Sequence, residues 1–191
     1  MIFPLLAAAC FSMPVLAHAS SNPYVSVSGG PGLMTNSTVN NASGWATYKT
    51  GYLINAAVGL KTDYARIEAE VGYHNNNLDT WGPAPAISGS SISMWTFMAN
   101  GYIDYTIKDL EIAPYLMAGL GLAAVQGNDT STTKNDSVLA WQLGAGISFK
   151  ASEKVSIDLG YRYFAAGDAK LDADTFSISS HNIIAGIRYE L

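Results

Sequence analysis

Residues 65–74 read Ala65-Arg66-Ile67-Glu68-Ala69-Glu70-Val71-Gly72-Tyr73-His74. Ala65, Ile67, Ala69, Val71 and Tyr73 alternate strictly with Arg66, Glu68, Glu70, Gly72 and His74. A helix, turning once in 3.6 residues, would mix the two sets; a strand puts them on opposite faces. One face meets an apolar medium and the other carries three charges within five positions.

Outward from this segment the same alternation recurs about ten residues at a time, between stretches rich in Gly and Asn, as in the strands of a membrane barrel. Eight such segments are expected, at 24–34, 51–61, 65–74, 92–105, 112–125, 138–150, 155–163 and 178–191. The first is interrupted by Gly29, Gly30, Pro31 and Gly32, and Pro31, with no N–H to give a ladder, predicts a bulge or an early end. Segments 35–50, 75–91, 126–137 and 165–177 are long, polar connections, whereas 62–64, 106–111 and 151–154 are short. The fold class expected is all-β: an eight-stranded antiparallel transmembrane β-barrel with long extracellular loops and short periplasmic turns.

Charge placement supports the register. Of 25 charged residues, fifteen fall in the proposed loops and turns and ten on inward faces, with none facing lipid. An Arg or Lys on the lipid face at the bilayer midplane would cost about 2–4 kcal/mol. Aromatic residues cluster at strand ends as interfacial girdles should. Tyr52, Tyr73, Trp95, Trp141 and Tyr163 fall at the extracellular ends, and Tyr105, Phe149 and Tyr189 at the periplasmic ends.

Composition agrees. Only 13% of the 191 residues are charged and 49% are apolar, yet past residue 19 no apolar run is long enough for a membrane helix. Eleven Tyr, four Trp and eighteen Gly suit pleated surfaces and tight turns. Residues 1–19, a mostly apolar run closed by Ala17-His18-Ala19, read as a cleaved signal peptide, leaving 20–191 as a single barrel domain. The only cysteine, Cys10, lies within that segment, so disulfides contribute nothing to the mature chain. A net charge of −5 without clustered Lys and Arg argues against nucleic acid as a partner, and none is expected.

The inward charges balance: Lys61, Arg66, Lys150, Arg162 and Arg188 against Glu68, Glu70, Asp104, Asp158 and Glu190. An eight-stranded barrel has an interior just wide enough for side chains, so these ten are expected to form a salt-bridge network that plugs the lumen. The alternative is a narrow channel or a conduit for small or apolar solutes. No enzymatic site is evident: Ser179 and His181 share the lipid face, but no carboxylate there can orient the imidazole. No metal or other cofactor is expected, because His74 and His181 are too few for zinc and Asp168, Asp172 and Asp174 match no calcium loop.

Pro114-Tyr115-Leu116-Met117-Ala118-Gly119-Leu120-Gly121, Trp141-Gln142-Leu143-Gly144-Ala145-Gly146, Gly160-Tyr161-Arg162-Tyr163 and the ending Ala185-Gly186-Ile187-Arg188-Tyr189-Glu190-Leu191 resemble the opacity-protein-like outer-membrane barrels, related in architecture to OmpA and OmpX. The resemblance covers nearly all of the chain past residue 19. It implies a surface barrel of the bacterial outer membrane with a structural or adhesion role carried by its loops. Implied partners are outer-membrane lipid and lipopolysaccharide, the barrel assembly machinery, and a surface ligand or host receptor that the residues do not name. Ile187, Tyr189 and Leu191 resemble the C-terminal assembly signal, with Leu191 where Phe is usual.

Overall fold

A computed structural model describes residues 21–39, 42–86, 90–107, 110–128, 133–171 and 174–191. The segment 1–19 lies outside them. Eleven strands are present among the described residues: β1 (Asn22–Met34), β2 (Ser37–Val39), β3 (Ala42–Tyr48), β4 (Gly51–Lys61), β5 (Ala65–Trp81), β6 (Ala84–Pro85), β7 (Ser91–Asp104), β8 (Ile112–Asn128), β9 (Thr133–Lys150), β10 (Val155–Leu171) and β11 (Asp174–Glu190). Eight of them, β1, β4, β5, β7, β8, β9, β10 and β11, pair antiparallel in that order, and β11 pairs back onto β1. The ring closes with no free edge, which is what lets strands cross a membrane with every backbone donor satisfied.

The register fixes the barrel's geometry. Stepping from partner to partner around the wall leads from Tyr24 to Gly59, Glu68, Asn100, Gly119, Gln142, Phe164 and Ser180, and returns to β1 at Met34. One circuit therefore climbs ten residues along β1. That stagger tilts the strands by roughly 35–45°. All nine residues on the path lie on the inner face, so a single helical turn of the interior can be read from the pairing.

Burial is inverted relative to a soluble protein. Leu120 and Leu139 are 72% and 76% exposed, whereas Arg188 and Asn182 are 2% and 0% exposed. The alternation read from 65–74 is the alternation observed: Arg66, Glu68, Glu70 and His74 are buried, and Ile67 and Val71 face out.

Two expectations about the strands are corrected. Pro31 causes neither a bulge nor an end: β1 pairs with β4 straight through it, with Pro31 opposite Tyr52. The ladder to β11 skips Gly30 and Pro31 and resumes at Gly32 opposite Asn182 without a change of register. The missing N–H is accommodated by two unpaired positions.

The long connections are also shorter than expected, because the strands run on into them. β5 continues to Trp81, β8 and β9 reach Asn128 and Thr133, and β10 and β11 reach Leu171 and Asp174. Segment 35–50 folds as the β2–β3 hairpin, which pairs Ala46 with Trp81 of β5 and Val39 with Phe176 of β11. Beyond the apolar band the outer face need not be apolar, so the sequence alternation fades while backbone groups still require ladder partners.

Candidate functional site

The interior is the candidate site, and it divides by height. In the half nearest the short turns, charged and aromatic side chains interlock. Arg66 donates from Nε and Nη2 to the two carboxylate oxygens of Asp104, both at 2.8 Å, in a bidentate pair. Its guanidinium carbon lies 4.1 Å from the ring centre of Tyr102 and 5.1 Å from that of Tyr115. Asp158 stands between Arg66 at 3.6 Å and Arg188 at 3.5 Å. Arg188 also donates to Ser148 Oγ at 2.9 Å, and Lys61 Nζ meets Glu190 at 2.7 Å near the mouth.

Glycines make room for the rings. A Cβ at Gly59 would collide with the Tyr24 phenol, and one at Gly146 or Gly160 with that of Tyr115. These glycines are inward positions where the alternation would otherwise put a polar side chain, so a ring on one strand fills the space left on its neighbours.

At mid-height the carboxylates are shared. Glu68 accepts hydrogen bonds from Tyr24 (3.0 Å), Tyr102 (3.0 Å) and Asn100 (3.1 Å). Glu70 accepts from Arg162 Nη1 at 2.9 Å on each oxygen and from Gln142 at 3.2 Å. Gln142 in turn donates to Asn100 at 2.7 Å. Nine of the ten predicted inward charges thus lie in hydrogen-bonded or ion-paired contact.

Lys150 is the tenth, and the structure separates it from the others. It ends β9 and is exposed at the rim, with no ion pair among the described residues. It lines a cavity of about 210 Å³ at the short-turn mouth together with Lys61, Asp104, Glu153, Arg188 and Glu190. Asp158, the nearest inward carboxylate in the strand pattern, lies between Arg66 and Arg188, and Glu190, two strands away, is held by Lys61.

The other half of the interior is built around an apolar cluster, with Asn76, His74, Ser180 and Asn182 also buried there, so the salt-bridge network expected to plug the lumen fills only part of it. Met34, Ile92, Met94, Met98, Val125, Phe164 and Ile178 pack as one cluster, each at most 8% exposed, with Ala46, Ala123 and Ala140. His74 stacks on Phe164 with ring centres 5.3 Å apart. Leu53, inward on β4, is 1% exposed. The signal was present in the sequence, since Leu53, Ile92, Phe164 and Ile178 are large apolar residues on nominally polar faces. Reading it needed relative heights, which the stagger alone supplies.

On the exterior, Tyr52, Tyr73 and Trp95 form a line across three neighbouring strands, with ring centres 6.3 and 5.1 Å apart. Trp141, Tyr163 and His181 form a second line, at 5.4 and 5.2 Å. Tyr105, Phe149 and Tyr189 are exposed near the opposite end, with Lys154 Nζ 5.8 Å from the Tyr189 ring centre. Ile187 and Tyr189 face out from the last strand opposite Val27 and Val25, and the Leu191 N–H donates to Pro23 O at 2.9 Å. His181 is outward, and its Nδ1 is engaged by the Tyr161 hydroxyl at 2.5 Å. The side chains of Asp168, Asp172 and Asp174 lie outside the described residues.

Residues 3–188 match the family model of the outer membrane protein beta-barrel domain. The outer membrane protein PagN of Salmonella typhimurium is 30% identical over 125 residues, 52% of this chain and 51% of PagN. A candidate adhesin of Rickettsia canadensis is 28% identical over 112 residues, 49% of this chain and 50% of that protein. The chain spans about half the length of the curated relatives it matches. The crystal structure of Neisserial surface protein A matches with a TM-score of 0.70 at 17% identity, covering 90% of this chain and 99% of that one. That likeness shows the fold.

Proposed function

This chain belongs to the outer membrane protein beta-barrel domain family, and from that premise we propose that it is a non-conducting surface barrel of the bacterial outer membrane whose work is adhesion through the hairpins raised at one end. The hairpin end faces outward and the short turns face the periplasm, as bacterial barrels are built. Residues 1–19 act as the export signal, and the alternating ending at Ile187, Tyr189 and Leu191 is read by the barrel assembly machinery. Catalysis has no part in this reading, because the His181 Nδ1 is held by a tyrosine rather than a carboxylate.

The observation that carries the proposal is the filling of the lumen at two heights by different chemistry. Ion pairs and shared carboxylates occupy the periplasmic half, and an apolar cluster of Met34, Met94, Met98, Phe164 and their neighbours occupies the outer half. A wall this filled leaves the hairpins as the parts free to meet another surface. Relatedness to a candidate adhesin supports the same reading.

The test is attachment. A non-adherent bacterium displaying the barrel should bind cultured host cells. Replacing 37–47 and 82–90 by minimal turns should reduce binding to the level of cells lacking the barrel, while the trimmed protein still migrates as a folded barrel when unboiled. Equal attachment by the trimmed barrel, or none by the intact one, contradicts the proposal.

A further inference from the structure

We infer that Lys150, Ser156 and Arg188, at the mouth beside the short turns, form a binding site for the carboxylate of a small monoanionic solute. The site lies at the end of the barrel opposite the hairpins, so it stands or falls independently of the adhesion reading. It needs no open channel either, since Arg188 and Asp104 of the lumen network form part of its wall.

The register puts the three residues in one row. Lys150 of β9 is the direct partner of Ser156 of β10, and Ser156 is the direct partner of Arg188 of β11. A hydroxyl thus lies between two cations whose backbones are two strand spacings apart, about 10 Å. Both side chains are long enough to converge over Ser156, and all three residues line the cavity at the mouth. Ser148, which also lines it, is buried beside them and accepts from Arg188 Nη2 at 2.9 Å.

The two cations have donors to spare. Arg66 and Arg162 each meet both oxygens of one carboxylate at 2.8 or 2.9 Å. Arg188, 2% exposed, approaches one carboxylate among the described residues, Asp158, and at 3.5 Å. Its Nε and Nη1 are enclosed with no hydrogen-bond partner among the described residues, an unfavourable state for a charged group. A turn of the guanidinium toward the cavity supplies the missing acceptor once an anion enters. Lys150, exposed at the rim with no ion pair among the described residues, need break no existing pair to join it.

The surrounding carboxylates set the ligand's charge. Asp104 is held by Arg66 and Glu190 by Lys61, so neither competes for Lys150 or Arg188. Glu111 and Glu153 also line the cavity, both exposed, and at this range their charges act on anything bound inside. Two cations facing them accommodate one negative charge better than two. A carboxylate offers an oxygen to each cation, with the Ser156 hydroxyl as a further donor. Ile112 and Ala113 give the same cavity a small apolar wall for a short alkyl chain.

Solution NMR of the 15N-labelled barrel in detergent micelles, titrated with sodium propionate at constant ionic strength, tests this. The Arg188 Nε–H and Ser156 backbone amide resonances should shift saturably. Lys150→Gln, at an exposed position, should weaken binding at least fivefold, with unboiled gel migration checking that it folds. Sodium sulfate should bind at least fivefold more weakly than propionate. Absence of a saturable shift at either resonance, unchanged affinity in folded Lys150→Gln, or equal binding of sulfate would overturn the assignment.

Discussion

One nitrogen of Arg162, Nη1, lies 2.9 Å from each of the two carboxylate oxygens of Glu70, a residue ninety-two positions earlier in the chain. The pair spans the lumen between β10 and β5, strands that are not neighbours in the ring. Both side chains are nearly enclosed, at 11% and 4% exposure. It is a crossbeam, holding opposite walls at a fixed separation, and its energetic character follows from its surroundings.

Removing one member should leave the other charged and buried. Arg162→Met is expected to destabilise the barrel by about 3–5 kcal/mol, with the double variant Arg162→Met, Glu70→Gln recovering most of that loss. Reversible urea unfolding in phospholipid vesicles measures both. A double variant as unstable as the single one would show that the carboxylate's other partner, Gln142, and the surrounding packing matter more than charge.

Conductance should depend on the outer half of the lumen. In planar bilayers the intact barrel is expected to give no steady openings, and Arg66→Gln with Asp104→Asn should leave that unchanged. Phe164→Ala, which empties the centre of the apolar cluster, should admit ion flow and cost about 3–5 kcal/mol of stability. Steady openings in the intact protein would reject the filled-lumen reading.

Lys150 and Gly146 should behave oppositely despite lying on the same strand. Lys150→Gln, at an exposed position whose side chain has no ion pair among the described residues, should change stability by about 0.5 kcal/mol at most. Gly146→Ala would drive a methyl into the Tyr115 ring and the Leu159 carbonyl, at about 1–3 kcal/mol. Urea midpoints of the two variants compare them directly.

How legible all this was in the sequence depends on height. Across the apolar band, from Ala65 to His74 and from Trp95 to Ile103, the medium forces the alternation, and period alone assigns each face. Above the band that constraint lapses, so β5 beyond His74 and the β2–β3 hairpin read as loops although they are strands. Inside, the sequence identifies which charges face inward but not which of them meet. Partners such as Arg162 and Glu70, or Tyr24 and Glu68, are set by the ten-residue stagger, a property of closure that no single strand carries. Lys150 shows the converse: its face and its place at the end of the 138–150 segment were legible, but its expected ion pair is absent among the described residues, because partners are not set by a single strand.

The central claim is that along one strand successive side chains meet lipid and a filled interior in turn. Single spin labels at positions 95 to 101 of β7, placed through cysteine in a Cys10→Ser background, test it by their collision rates with oxygen and with a water-soluble nickel chelate in bilayers. Oxygen access should peak at 95, 97, 99 and 101 and fall at 96, 98 and 100, with the chelate excluded from all seven. Oxygen access without a two-residue period, or chelate reaching 96, 98 and 100, would contradict the account.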